Sequence, residues 1–135
     1  MRAARVHATV TWAYAAGFGI PVGPIARYVE RTGTLPWFGD LFPMYGGPWW
    51  DSVDQRAFLV LLGAFAGTLA AASAAAELVR REHPAGVPVA LALMPVEAVF
   101  WYGFALPIPW AIGVARVALL VATRRARAAR ATGRP

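Results

Sequence analysis

Residues 57–79 read AFLVLLGAFAGTLAAASAAAELV and carry a single formal charge, at Glu77. A helix needs about 20 largely apolar residues to cross the hydrocarbon core of a bilayer, at a rise of about 1.5 Å per residue. This stretch meets that requirement, so we predict that it spans a membrane. The composition of the 135-residue chain agrees, since 59% of its residues are hydrophobic and only 15% are charged.

Three further stretches have the character of membrane spans. Residues 87–106 carry only Glu97 as a charge, and residues 109–127 form an apolar run that ends in arginines able to reach the headgroups. Residues 8–26 are uncharged, but their glycines and prolines predict a kink or break in the second half. We therefore predict an all-α, polytopic membrane protein, a single domain over residues 1–135 with four transmembrane helices in an antiparallel bundle.

The N-terminus has a second interpretation. Arg2 and Arg5 precede an apolar run, which is also the pattern of a secretory signal peptide. A convincing small-residue cleavage site does not follow the apolar run, so we favour a first span over a signal peptide.

The arginines predict the orientation of the chain. Nine of them precede the first span, lie between the second and third spans, or belong to the basic tail, residues 124–135. Positive residues near short loops are retained in the cytoplasm, so both termini are expected there. The use of Arg alone as the basic residue, together with abundant Ala, suggests GC-rich coding and a bacterial inner membrane.

The net charge of +6 is also explained by membrane topology. A basic segment directly after a span holds topology and attracts anionic lipid, at about 1 kcal/mol per Arg near the surface. We therefore expect the lipid bilayer, and anionic lipid at the tail, as partners of the chain. Nucleic acid is not an expected partner, although a role of the tail in binding another protein stays open.

Two charges fall deep inside predicted spans, away from the span ends: Glu97 and Arg116. Isolated charges at mid-bilayer cost about 2.5–3.5 kcal/mol even on the insertion scale. The tight connection at residues 106–109 makes the third and fourth spans neighbours and puts the two charges about 14 Å and 12 Å below the turn. We predict an ion pair, with Gly113 leaving room for the approach and Pro95 bending the third span.

The outer connection, residues 30–55, is unusually aromatic and is interrupted by prolines and glycines. Such a segment is expected at the outer interface, either as a belt that anchors the protein or as a lid over a lipid-like or aromatic ligand reaching toward Glu97. Ser52 and Gln55 have capping-box spacing at the entry to the second span. Asp51 and Asp54 offer a weaker alternative, cation binding. The candidate lid residues are Trp37, Phe38, Phe42, Tyr45, Trp49, Trp50, Trp101 and Trp110.

Small residues predict where helices pack closely. Gly63, Gly67, Ala71 and Ala75 recur every four residues in the second span, and Gly19 and Gly23 repeat the spacing in the first. Close backbone approach supplies helix association in lipid, so a partner helix is expected on these stripes. It belongs either to this chain or to another subunit, as in a homodimer or a larger membrane complex.

Catalytic and metal-binding signals are weak. The chain has no Cys, and His7 and His83 lie beside arginines near helix ends, where we expect interfacial positions rather than metal ligation or base catalysis. We predict no catalytic residues, no metal and no cofactor, although an enzyme is not excluded. The favoured function is an accessory or scaffold subunit that packs against other membrane helices. The alternative is a small proton-linked transporter, or a lipid- or small-molecule-binding protein, centred on Glu97 and Arg116.

Overall fold

The computed structural model describes residues 2–133. The predicted helical class is confirmed, with 78% of the structure in helices. The elements are α1 (Arg2–Gly19), α2 (Val22–Thr32), β1 (Trp37–Phe38), β2 (Phe42–Pro43), α3 (Pro48–Ser52), α4 (Gln55–Arg80), α5 (Gly86–Gly103) and α6 (Pro107–Ala131).

Three of the helices, α4, α5 and α6, are long and apolar enough to cross a membrane. At about 1.5 Å per residue they are about 39, 27 and 38 Å long, against a hydrocarbon core of about 30 Å. The N-terminal helix α1 has 18 residues but includes Arg2 and Arg5, and it is not among the three. The count of four spans therefore stays a prediction.

The predicted first span, residues 8–26, is not one helix. α1 ends at Gly19 and α2 begins at Val22, with a turn at Ile20 and Pro21. The proline is the N-cap of α2 and has no N–H with which to continue the ladder of α1. α2 runs to Thr32, so the first residues of the predicted outer loop are helical instead.

The four long helices pack in a closed order. α1 lies against α4 and α6, and α5 lies against the same two helices. Large apolar and aromatic side chains fill the core near residues 30–55, the aromatic loop, where Phe58, Phe65 and Phe104 are fully buried. A second cluster toward the other end is built from aliphatic side chains, including the small Ala4 and Ala75. The two ends of the core therefore differ in the size of the side chains that fill them.

The aromatic loop is folded rather than extended along a surface. β1 and β2 form a two-stranded antiparallel ribbon, and α3 follows. Gly47 lies so close to the end of α5 that an added Cβ would fall 2.7 Å from the Ala105 nitrogen. The indole of Trp49 similarly covers Gly103, which fixes the loop against the link between α5 and α6.

The N-terminus of α4 is capped by a different residue from the one predicted. Asp54 is the N-cap residue, and its carboxylate accepts a hydrogen bond from the Ala57 backbone N–H at 2.8 Å. Ser52 instead donates to the Pro48 carbonyl within α3. The predicted capping pair of Ser52 with Gln55 is wrong, because Gln55 donates across to the Val29 carbonyl at the end of α2.

Candidate functional site: a buried ion pair shared by three helices

Glu97 of α5 and Arg116 of α6 form a bidentate ion pair. The Arg116 Nη1 donates to the Glu97 Oε2 at 2.6 Å, and the Arg116 Nη2 donates to Oε1 at 3.0 Å. The exposed fractions of the two side chains are 0% for Glu97 and 1% for Arg116. Parallel hydrogen bonds of this kind are among the strongest that side chains make, because both partners are charged and the fork geometry matches.

The local sequence explains why the two charges meet. Only Phe104–Leu106 separate α5 from α6, so the helices leave the link side by side. Pro107 lies at the first position of α6, where its missing N–H costs nothing. Pro95 lies inside α5, which continues through it to Gly103.

A third helix completes the site. The Arg116 Nε donates to the Thr11 Oγ1 of α1 at 3.0 Å, and the Thr11 hydroxyl donates to the His7 carbonyl at 2.8 Å. The guanidinium carbon also lies 5.2 Å from the centre of the Tyr14 ring, within the range of a cation–π contact. The sequence analysis did not identify Thr11 and Tyr14 as part of this site. The two residues are three positions apart, a spacing that places both polar groups on one face of a helix, and this spacing was the available signal.

Trp101 belongs to this site rather than to a lid. It is buried, and its indole N–H donates to the Tyr14 hydroxyl at 2.7 Å. A Cβ added at Gly113 would meet this indole at 2.5 Å. The glycine therefore makes room for Trp101, and its predicted role as space for the approach of Arg116 is corrected.

The other proposed lid residues differ in their exposure and contacts. Trp37, Phe38 and Phe42 are more than half exposed. Trp110 is also exposed, and its ring contacts the ring of Trp101 edge-on. Trp49 and Trp50 pack edge-on against buried phenylalanines.

Tyr45 is a buried aromatic residue of the aromatic loop. Its hydroxyl donates to the Phe18 carbonyl, and burial raises the pKa of its phenol. Tyr45 also lines a cavity of about 420 Å³ between the loop and the link that joins α5 to α6. Neither Glu97 nor Arg116 lines that cavity, so the aromatic loop and the ion pair are separate features.

The predicted packing glycines divide into two groups. Gly63, Gly67 and Ala71 are exposed, and a Cβ added at either glycine would meet no described atom within 4 Å. Gly23 is equally open. Gly19 differs, because an added Cβ would lie 3.3 Å from the Leu69 Cδ1, so this glycine lies against α4. The small-residue stripe of α4, defined from here as Gly63, Gly67 and Ala71, is thus exposed, whereas Ala75, the fourth predicted member, is buried in the second core cluster.

The two histidines occupy different environments. His7 is fully buried, which corrects the prediction of an interfacial position, and neither ring nitrogen has a hydrogen-bond partner within residues 2–133. His83 is exposed in the turn between α4 and α5, and its Nδ1 accepts from the Ala85 N–H at 3.2 Å. In the same residues, three or more His, Cys, Asp or Glu side chains do not gather into a possible metal site.

The predicted basic tail, residues 124–135, is largely helical. α6 continues through Ala131, while Arg134 and Pro135 lie outside the described residues. Arg127 donates through Nη1 to the His83 carbonyl and through Nη2 to the Val79 carbonyl, both at 3.2 Å. These bonds join the end of α6 to the end of α4.

The fold and the site together define a class: a helical protein with three helices suited to a membrane and a charged pair enclosed between helices. Comparison with protein-family models, with curated proteins and with solved structures found no match for this chain.

Proposed function

We propose that the chain is a small four-span protein of a bacterial inner membrane, and that it acts as an accessory or scaffold subunit packed against other membrane helices. In this proposal α1, α4, α5 and α6 form an antiparallel bundle with both termini in the cytoplasm. The observation that carries the proposal is the closed state of the ion pair. Glu97 and Arg116 are almost completely buried, and all three side-chain nitrogens of Arg116 donate to groups of the chain itself.

A closed pair favours a structural role for physical reasons. A carboxylate or guanidinium that binds a substrate needs a free hydrogen-bonding position or an open path to it. Here each of the three guanidinium nitrogens already donates one hydrogen bond, to Glu97 or to Thr11, the group is almost fully buried, and the Tyr14 ring lies 5.2 Å from its carbon. Such a pair fixes the register of the helices that carry it, which is the best-attested use of buried polar groups.

The small-residue stripe of α4 supports the packing role. In lipid, helices associate through close backbone contact and hydrogen bonds, because apolar side chains gain little by leaving the acyl chains. Gly63 and Gly67 cost helix stability relative to alanine, and a Cβ at either position would meet nothing within 4 Å in residues 2–133 that would offset the cost. A helix of another subunit would provide that contact.

The competing function is proton-linked transport or small-molecule binding centred on Glu97 and Arg116. It requires the pair to open, since the cavity under the aromatic loop reaches neither residue. Replacing both charges by apolar residues separates the two functions. A structural pair allows the double variant to assemble with its partners as before, whereas a binding or transport centre is abolished.

Cysteine cross-linking tests the packing role directly, because the chain has no cysteine of its own. Gly67→Cys places a thiol on the stripe, and Val114→Cys places one on the exposed face of α6 as a matched control. Oxidation in native membranes should join Gly67→Cys to a defined partner, a second copy or a larger subunit containing a cysteine. Equal yields at both positions, or no product at Gly67→Cys with either partner, would overturn the proposal.

A further inference from the structure

A second cavity lies at the opposite end of the helices from the aromatic loop. It has a volume of about 420 Å³ and lies between the beginning of α5 and the end of α6. Its apolar lining comes from Pro84, Val87, Pro88 and Leu91, and its remaining lining residues are Arg124 and Arg127. The cavity therefore has a hydrocarbon side and a cationic side.

The two arginines differ in how they are held. Arg127 is fixed by the bonds of its two terminal nitrogens to main-chain carbonyls, but its buried Nε has no hydrogen-bond partner in the described part of the chain. Arg124 is exposed and forms no ion pair within residues 2–133. Within residues 2–133, the cavity wall thus holds one arginine that is fixed by main-chain carbonyls and one exposed arginine that forms no ion pair.

Two nearby acids only partly offset the positive charge of the arginines around this cavity. Glu77 is bound by Arg80 and Arg81, each at 2.6 Å. Glu82 lies 3.6 Å from the Arg130 Nη1 and also interacts electrostatically with Arg127. The local excess of positive charge is therefore left for a group from outside the chain.

We propose that this cavity binds one anionic phospholipid, with its phosphate on Arg124 and Arg127 and the upper part of an acyl chain along the apolar lining. The inference rests on the proposed membrane location and adds a specific ligand site to it. Basic pockets between helices on the cytoplasmic side are the setting in which anionic headgroups bind. Free phosphate matches only the arginine side, and a neutral lipid matches the apolar side without using the excess charge.

Native mass spectrometry of the detergent-purified protein tests the headgroup. Dioleoyl phosphatidylglycerol and dioleoyl phosphatidylcholine are added at equal concentration to wild type, Arg124→Gln and Arg125→Gln. Arg125 neighbours Arg124 on α6 and is also exposed, but it does not line the cavity. Wild type and Arg125→Gln should retain phosphatidylglycerol preferentially, and Arg124→Gln should lower the retained fraction about fivefold.

Three results would overturn the proposal. The first is equal loss in the two arginine variants, which would mean diffuse attraction along the helix. The second is equal retention of the two lipids. The third is displacement of phosphatidylglycerol by inorganic phosphate at the same concentration, which would mean a phosphate site with no need for a lipid.

The apolar side needs its own variant. Leu91→Trp should fill the cavity and reduce retention of phosphatidylglycerol, while Ala92→Trp, at the neighbouring exposed position, should leave it unchanged. Equal retention in both variants would contradict the acyl-chain placement. Extraction of native membranes with alkaline carbonate then separates the two proposals. Release of the protein contradicts the membrane location itself, whereas a retained protein without lipid selectivity contradicts only this inference.

Discussion

Two ion-pair clusters in this protein have the same contact distance and opposite surroundings. Glu97 and Arg116 meet at 2.6 Å with exposed fractions of 0% and 1%, and Glu77 meets Arg80 at 2.6 Å with exposed fractions of 27% and 43%. Water and salt screen the second pair and compete for its hydrogen bonds, while the first has only protein around it. The same geometry therefore has different energetic consequences, and the environment decides which pair the fold depends on.

The largest effect is expected from removing one partner of the buried pair. Arg116→Met leaves the Glu97 carboxylate buried without its cation and should destabilise the protein by about 3–5 kcal/mol. Thermal unfolding in detergent measures this loss. Arg80→Met is the matched control and should leave Tm nearly unchanged, because Arg81 still binds the exposed Glu77. Equal losses in the two variants would contradict the comparison.

Removing both charges should restore most of that loss. A variant carrying Glu97→Leu with Arg116→Met has no uncompensated charge, and such replacements are often neutral or stabilising by about 1–4 kcal/mol relative to the intact pair. The same unfolding measurement applies. A double variant as unstable as Arg116→Met alone would show that the helices need the hydrogen bonds themselves.

The bond from α1 should contribute less than the ion pair. Thr11→Val removes the acceptor of the Arg116 Nε and should cost about 1–3 kcal/mol, the penalty for a buried donor left without a partner. Thr123→Val is the control, since Thr123 is also buried but its hydroxyl donates to the Leu119 carbonyl of its own helix. A greater loss in the control would argue against a role for α1 in the site.

Replacing His7 should stabilise the protein, in contrast to the substitutions above. Its ring is buried with both nitrogens unpartnered in the described structure, so His7→Leu removes an unsatisfied polar group. The variant should be more stable by about 1 kcal/mol. His83→Leu, at an exposed position, should change Tm little. A destabilised His7→Leu variant would indicate that the imidazole has a partner in the membrane.

The smallest effect concerns salt. Raising NaCl from about 0.05 M to about 0.5 M shortens the screening length to a few ångströms. The difference in Tm between wild type and Arg116→Met should not change, because the buried pair is not reached by ions. Any difference seen for Arg80→Met should disappear. A salt-sensitive Arg116→Met difference would mean that solvent enters the site.

The sequence carries clear signals for some of these features. Long uncharged runs predict helices because a helix satisfies its own backbone, and a short link between two such runs makes them neighbours. The Glu97–Arg116 contact has its signal in that link and in the rarity of charge within the runs. The division between α1 and α2 also has its signal, in the glycines and prolines of residues 17–24.

Other features depend on packing that a linear pattern does not contain. The contact of Thr11 with Arg116 joins residues 105 positions apart, and it depends on which face of α1 turns toward α6. Trp101 is buried and Trp110 is exposed although their rings are in contact, and helix packing decides which of the two is enclosed. The position of the aromatic loop rests on contacts between residues far apart in the sequence, such as the one between Gly47 and Ala105.

The three-residue link between α5 and α6 has a consequence for biosynthesis. On the proposed location, Glu97 reaches the membrane before Arg116 has left the ribosome, and a lone carboxylate in lipid is unfavourable. The two helices are therefore best released into lipid together, as one hairpin whose charges cancel at the moment of entry. A longer link would delay the pairing of the two charges, and it would therefore impair membrane insertion before the protein has folded.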